Sequence, residues 1–193
     1  MEKLLGKNKI LTAVFISGKG TNLKKLIQLS KTKKSPIKIG LIISSNSKAE
    51  GLKYSIKYKI KKYVIKKNDK NSEIKILKKL EINKISFICL AGYMRILSKK
   101  FIKNFKGKII NIHPSLLPKY KGLNTHEKVI KNKEKYTGCT VHYVNEKLDS
   151  GKIILQKKIK VFKHDTAASI KKRVLDKEHQ IYFKAILKIF KTI

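Results

Sequence analysis

Apolar residues along this chain gather in short dense runs, and between them lie lysine-rich stretches whose hydrophobic positions recur at helical spacing. Lys9–Ser17, reading KILTAVFIS, is a continuous apolar run of strand length that ends in a glycine-containing turn. From Asn22 to Lys33, Leu23, Leu26, Ile27 and Leu29 fall near helical spacing and predict a helix. Pro36 punctuates the chain, and Ile37–Ile43 predicts a second strand. Helical and strand-like pieces continue from Lys48 to Glu81, with a short strand at Tyr63–Ile65 and a polar loop over Lys66–Ser72. Ser86–Ala91 and Lys108–Ile112 predict the next two strands. A helical segment follows Gly122, then strands at Cys139–Val144 and Ile153–Val161, and one long helix over Thr166–Phe190. Strands alternating with helices predict an α/β fold with a mostly parallel sheet flanked by helices. The two closely spaced late strands predict an antiparallel C-terminal extension. With no internal repeat and no linker, residues 1–193 read as a single domain.

Composition narrows the function classes more than it names one. At 193 residues and 41% hydrophobic the chain has enough apolar material for a buried core. The formal charge of +36 first suggests nucleic acid. Yet the lysines are spread evenly, and only Arg95 and Arg173 are arginines. Base readout favours bidentate arginine, and RNA binding favours aromatics interleaved with basic residues. Neither pattern is present, so specific nucleic-acid binding is not expected. Lysine, isoleucine and asparagine rise together, as under an AT-rich codon supply. The charge then reads as solvated lysine faces, or as a field that steers anionic substrates. No apolar run approaches the ~20 residues that span a bilayer. Met1–Lys9 is charged rather than signal-like, so a cytoplasmic location and no membrane partner are expected. Cys89 and Cys139 each sit inside an apolar run without metal-ligand spacing, which predicts buried free thiols and no metal.

Candidate chemistry clusters where predicted strands end. Ser17-Gly18-Lys19-Gly20-Thr21-Asn22 joins the first strand to the first helix, where glycines allow close backbone approach and a helix start favours anions. Thr21 or Asn22 could cap that helix and donate to a phosphate; a plain tight turn fits the same residues. Asn111-Ile112-His113-Pro114-Ser115-Leu116-Leu117-Pro118 is the densest stretch. Asn111 and His113 are two apart, so they share one face of an extended chain. An amide that donates to an oxyanion beside an imidazole that moves protons suits acyl transfer to an amine. A structural Asn–His pair is the other reading of these two residues alone.

Asn111–Pro118 resembles the NIHPSLLP signature of folate-dependent glycinamide ribonucleotide formyltransferases. The resemblance runs from Ser17–Asn22 through Ala91-Gly92-Tyr93-Met94-Arg95-Ile96-Leu97 and Thr137–His142 to Leu148-Asp149-Ser150-Gly151. It implies the Rossmann-like formyltransferase fold and transfer of the formyl group of 10-formyltetrahydrofolate, a co-substrate, to the amine of phosphoribosylglycinamide in purine biosynthesis. No tightly bound cofactor is implied. Asn111, His113 and Asp149 would be the catalytic trio, with Asp149 raising the pKa of His113. Thr140 would serve a proton or water relay, and His142 is tied to the site only by family context. Gly20, Thr21, Asn22 and Glu178 would bind phosphoribosylglycinamide; Met94, Arg95, Ile96, Leu97 and Asn111 would receive the folate. Leu175 stands where some members carry a substrate-contacting glutamine. The usual folate-contacting arginine has no counterpart between Tyr63 and Ser72, although Lys66 or Lys67 could substitute. A monomer or weak homodimer is expected. A formyltetrahydrofolate hydrolase, another amine formyltransferase and a basic RNA-binding module are the competing functions.

Overall fold

The structure, a computed structural model, describes residues 9–191; the reading of Met1–Lys9 falls, apart from Lys9, outside them. The chain divides into two compact units, one built from residues up to Ile109 together with Ile186 onward, the other from Ile110–Ala185.

In the first unit the apolar runs form β1 (Ile10–Ile16), β2 (Ile37–Ser44), β3 (Lys61–Val64) and β4 (Phe87–Leu90). All the pairings among them are parallel, in the order β3-β2-β1-β4. Parallel strands covered on both faces need apolar residues at every position, not at alternate ones. From Thr12 to Ile16 and from Phe87 to Cys89 nothing is exposed. The edge strand β3 is the contrast: KKYV is half polar, and none of its residues is buried. Between the strands lie α1 (Thr21–Ser30), α2 (Lys53–Lys57) and α3 (Ser72–Ile82), followed after β4 by α4 (Lys99–Asn104). Of the predicted α1 stripe, Leu23, Leu26 and Ile27 are buried and Leu29 is half-buried. A loop running into a helix start is the plain alternative reading of Met94–Leu97, and α4 begins two residues beyond it. At six residues it shows barely more than one helical turn, and Phe101 is its only buried residue.

The chain moves outward from β1 through β2 to β3 and returns on the other side of β1 as β4. Strand order therefore reverses between β1 and β4, the crevice where open α/β sheets bind ligands, beyond the carboxyl ends of the strands. The opposite, amino ends hold a cavity of about 700 Å³ walled by Lys9, Lys38, Lys59, Lys61 and Lys84 over Leu11 and Ile39. It adjoins the C-terminal ends of α1, α2 and α3, whose exposed carbonyls and dipoles attract cations. Lys9 Nζ donates to the carbonyls of Ser30 and Thr32, so Lys9 is a partner of the α1 end.

The second unit contains β5 (Lys108–His113) from Ile110 onward, α5 (Thr125–Lys131), β6 (Tyr136–Tyr143) and β7 (Ile153–Lys160). β6 pairs antiparallel with both β5 and β7, as the short connection between the last two strands predicts. β6 begins earlier than expected because Tyr136, Thr137 and Gly138 pair with Lys160, Ile159 and Lys158. The closing helix α6 (Ala167–Ile189) buries Ile170, Val174, Ile181, Tyr182 and Ala185 along one stripe. Its start is a reciprocal capping box: Ser169 N donates to Thr166 Oγ1 and Thr166 N to Ser169 Oγ. The α/β class, with parallel strands first and antiparallel strands last, is as the sequence predicts.

Candidate active site

β1 ends in the Ser17–Asn22 turn. Gly20 is the residue that caps α1; it stands at φ 70°, and no side chain caps the helix. Thr21 and Asn22 thus lie inside the helix rather than at its cap. The reason is steric. A left-handed residue is needed there, and a Cβ on Gly20 would come within 2.7 Å of the Gly51 Cα. Gly51 N donates to Gly18 O at 3.0 Å, which locks the two backbones together. A helix start leaves its first N–H groups without intrahelical acceptors, and Gly20 brings no side chain to cover them. The turn can therefore hold an anion.

The Gly92–Leu97 segment after β4 occupies the same switch point. Met94 N donates to Ser17 Oγ at 2.8 Å, and Ser17 Oγ lies 2.6 Å from Ser45 Oγ. At its far end Ser98 caps α4 by accepting from Phe101 N, while Glu73 on α3 accepts from both the Ser98 amide and its hydroxyl. Held at both ends, the segment buries Leu97 yet leaves Met94 67% and Ile96 74% exposed. Arg95 reaches toward Ser72 Oγ, at 3.5 Å. Exposed apolar side chains on a fastened loop beside an anion-binding turn suit a flat, partly apolar ligand. Ser98→Ala removes the cap and should lower stability by about 1 kcal/mol; an unchanged unfolding midpoint in urea would contradict the clamp.

In the second unit the β5–β6 register sets the chemistry. Asn111 pairs with His142 and His113 with Thr140. Directly opposed residues point to one face, so His142 joins Asn111. Asp149, at φ 45° in the loop after β6, completes the group. Its Oδ2 lies 3.4 Å from His113 Nδ1 and its Oδ1 3.5 Å from His142 Nε2, with His113, His142 and Asp149 side chains all under a tenth exposed. Asn111 Nδ2 donates to Asp149 Oδ1 at 3.4 Å and lies 3.3 Å from His142 Nε2. The Gly122 amide donates to Asp149 Oδ2 at 2.8 Å. Ring protons follow from the acceptors. His113 Nε2 is 2.8 Å from the Tyr120 carbonyl and His142 Nδ1 is 2.8 Å from the Tyr143 carbonyl. A carbonyl only accepts, so both of those nitrogens carry hydrogen. His142 Nε2, bare in the neutral ring, is then free to accept from Asn111. The amide, two imidazoles and one carboxylate form a single network.

Electrostatics bear out the upward push that Asp149 exerts on His113, but not the net direction. Burial is the largest influence on His113 and pushes its pKa down; the Tyr120 carbonyl and the Asp149 charge push it up but do not win. His113 therefore sits below the ordinary histidine value, not above it. For Asp149 burial again acts first, upward, yet the contact with the His142 ring, the hydrogen bond from the Gly122 amide and the positive charge that the two imidazoles carry when protonated together hold it below the usual carboxylate value. An ionised carboxylate thus faces a neutral imidazole whose Nδ1 is bare. That is a general base poised to take a proton and be stabilised as it does so.

Comparison with known proteins adds to this geometry. Residues 10–186 match the formyl transferase family. The chain belongs to that family. It is 42% identical over 88% of its length to the phosphoribosylglycinamide formyltransferase of Haemophilus influenzae, covering 82% of that protein. It spans only 18% of the trifunctional purine biosynthetic protein adenosine-3 of Gallus gallus, to which it is 42% identical over 93% of its own length. Among solved structures, phosphoribosylglycinamide formyltransferase from Brucella melitensis superposes with a TM-score of 0.88 at 40% identity, over 95% of this chain and 96% of that one. The enzyme of the same name from Anaplasma phagocytophilum gives 0.86 at 40%, over 93% and 86%.

In this member of the family the remaining expected residues divide. Thr140 is fully buried, and its hydroxyl donates to Ser115 O while accepting from Leu117 N and Gln156 Nε2. It holds the Ser115–Leu117 loop, and its one proton is engaged there. Glu178 is buried on α6, where its charge and, above all, burial push the Cys139 thiol up to about 12. Cys89 and Cys139 are both buried and neither forms a disulfide, and the Cys139 thiol at that value is no nucleophile near neutral pH. Lys66 and Lys67 are exposed in the β3–α3 connection. Among the described residues no group of three or more His, Cys, Asp or Glu is arranged to hold a metal ion. The sequence left His142 to family context, and it assigned Tyr120 no role of its own. Strand pairing identifies the first. A main-chain carbonyl has no sequence signal, so nothing pointed to the second.

Proposed function

We propose that this chain transfers the formyl group of 10-formyltetrahydrofolate to the primary amine of 5-phosphoribosylglycinamide. The observation that carries the reading is the Asn111–His113–Asp149 cluster, with an amide donor, a bare imidazole nitrogen and an ionised carboxylate within 3.5 Å contacts. The amine attacks the formyl carbon, and the new C–N bond places negative charge on the formyl oxygen. Asn111 donates to that oxygen. His113 Nδ1 accepts the amine proton, Asp149 stabilises the imidazolium, and the proton passes to N10 of the folate as the old C–N bond breaks. Gly20, Thr21 and Asn22 hold the substrate phosphate, Glu178 receives the glycinamide end, and Met94–Leu97 receives the pterin. The names of the Haemophilus and Brucella relatives support this choice of amine over water or another acceptor.

No described helix is long and apolar enough to cross a membrane. We place the enzyme in the cytoplasm as a monomer or weak homodimer, with both substrates small molecules and no tightly bound cofactor.

One assay tests the reading: purified protein, both substrates, and formylated product detected by mass. Product that needs phosphoribosylglycinamide is expected; folate deformylated equally well without it makes the chain a hydrolase. Gly20→Ala should raise KM for phosphoribosylglycinamide, since a Cβ at φ 70° meets the Gly51 backbone and must move the turn. Equal effects on both substrates would argue against a phosphate site there.

A further inference from the structure

The ring of His113 is oriented by a main-chain carbonyl, and that carbonyl belongs to a residue in an unusual backbone conformation. Tyr120 stands at φ 56°, where a bulky side chain is uncommon and needs its surroundings to hold it. Its phenol supplies the hold. The hydroxyl donates to Glu134 Oε1 at 2.7 Å and accepts from Asn132 Nδ2 at 2.9 Å. Glu134 Oε1 also takes Lys119 Nζ at 2.8 Å, and Ser115 Oγ donates to Lys119 O at 2.6 Å. Hydrogen bonds from Lys119 and Tyr120 hold the Glu134 carboxyl below its usual value, so the anchor is an anion at neutral pH. Lys119 and Tyr120 are thereby fixed to the connection between α5 and β6.

The consequence lies in which nitrogen of His113 is basic. A histidine tautomer is set by the hydrogen bond that the other nitrogen makes. With Nε2–H engaged by Tyr120 O, the neutral ring leaves Nδ1 bare, 3.4 Å from Asp149 Oδ2. Without that carbonyl the carboxylate draws the single proton to Nδ1, and the basic nitrogen becomes Nε2, on the far side of the ring from Asp149. We propose that Tyr120, anchored through its phenol by Glu134, is a positioning residue that selects the His113 tautomer in which the nitrogen beside Asp149 is the base. The tautomer stands independently of the reaction; its bearing on turnover rests on the formyl-transfer reading above.

The test uses the full chain with ¹⁵N-labelled histidine, as wild type, Tyr120→Phe and Glu134→Gln, with His113→Asn to assign the signal. Ring-nitrogen shifts are followed against pH, and kcat and KM are measured on the same samples. In the wild type the neutral ring should be the Nε2–H tautomer, titrating at Nδ1. Both variants should move the ring toward a mixture of tautomers and lower kcat by about tenfold, a part of what a general base supplies. KM for either substrate should stay within about twofold, since neither residue is a proposed substrate ligand. An Nδ1–H tautomer in the wild type overturns the proposal, as does a tautomer shift without loss of kcat, or a loss of kcat without a tautomer shift. Should Tyr120→Phe fail to fold, Glu134→Gln decides alone. A wild type that transfers no formyl group removes the functional reading, while the tautomer result still decides the positioning.

Discussion

His113→Asn should lower formyl transfer by roughly 10² to 10⁴, the range over which a positioned general acid–base acts, and leave the chain folded. Asparagine keeps a polar head in a nearly closed site but has no group that titrates near neutral pH. It therefore removes proton transfer without emptying the position. Asp149→Asn separates the two influences on the imidazole. Burial lowers the His113 pKa and the Asp149 charge raises it, with burial the larger. Taking the charge away leaves burial less opposed, so His113 should titrate lower in this variant than in the wild type. Near pH 7 the ring is neutral in both proteins. The lost turnover then comes from an imidazolium that forms during reaction with no carboxylate beside it, and not from a change in resting protonation. Histidine titration by NMR, alongside single-turnover rates, checks both halves. A titration point that stays put or rises in Asp149→Asn would mean the carboxylate does not act on His113 as described.

The second large effect is expected at Gly151, two residues beyond Asp149. A Cβ there would stand 1.7 Å from the Tyr143 carbonyl oxygen and 2.7 Å from its carbon. Tyr143 N donates to Lys152 O at 2.9 Å, so the backbone at the end of β6 and the returning chain are already tied together. Neither neighbour is a flexible side-chain end that could swing away. Gly151→Ala must therefore prise the loop from β6, at a cost of about 3 kcal/mol, and displace Asp149 from the two histidines. Gly18→Ala is the matched comparison, since a Cβ there meets nothing within 4 Å and should leave stability unchanged. Urea denaturation of the two variants distinguishes a tight loop closure from a general intolerance of alanine. Equal midpoints would show that the Tyr143–Gly151 approach is not a constraint.

Much of this protein was legible from residue order because the information is local. Continuous apolar runs such as TAVFI become strands buried on both faces, whatever lies next to them in the sheet. The leucine and isoleucine spacing of α1 and α6 marks the face that each helix buries. A glycine before a helix marks a turn that a side chain would obstruct, and a two-residue spacing puts Asn111 and His113 on one face. What the tertiary structure alone decided depends on atoms far apart in the chain, or on atoms that every residue carries. His142 meets Asn111 because β6 pairs with β5 in one register; a slip of one residue would turn it to the other face. The direction of the His113 shift is a contest between burial and charge, and burial exists only after packing. The proton on His113 Nε2 is held there by the carbonyl of Tyr120, a group common to every residue type. Only the fold brings it within 2.8 Å of the ring.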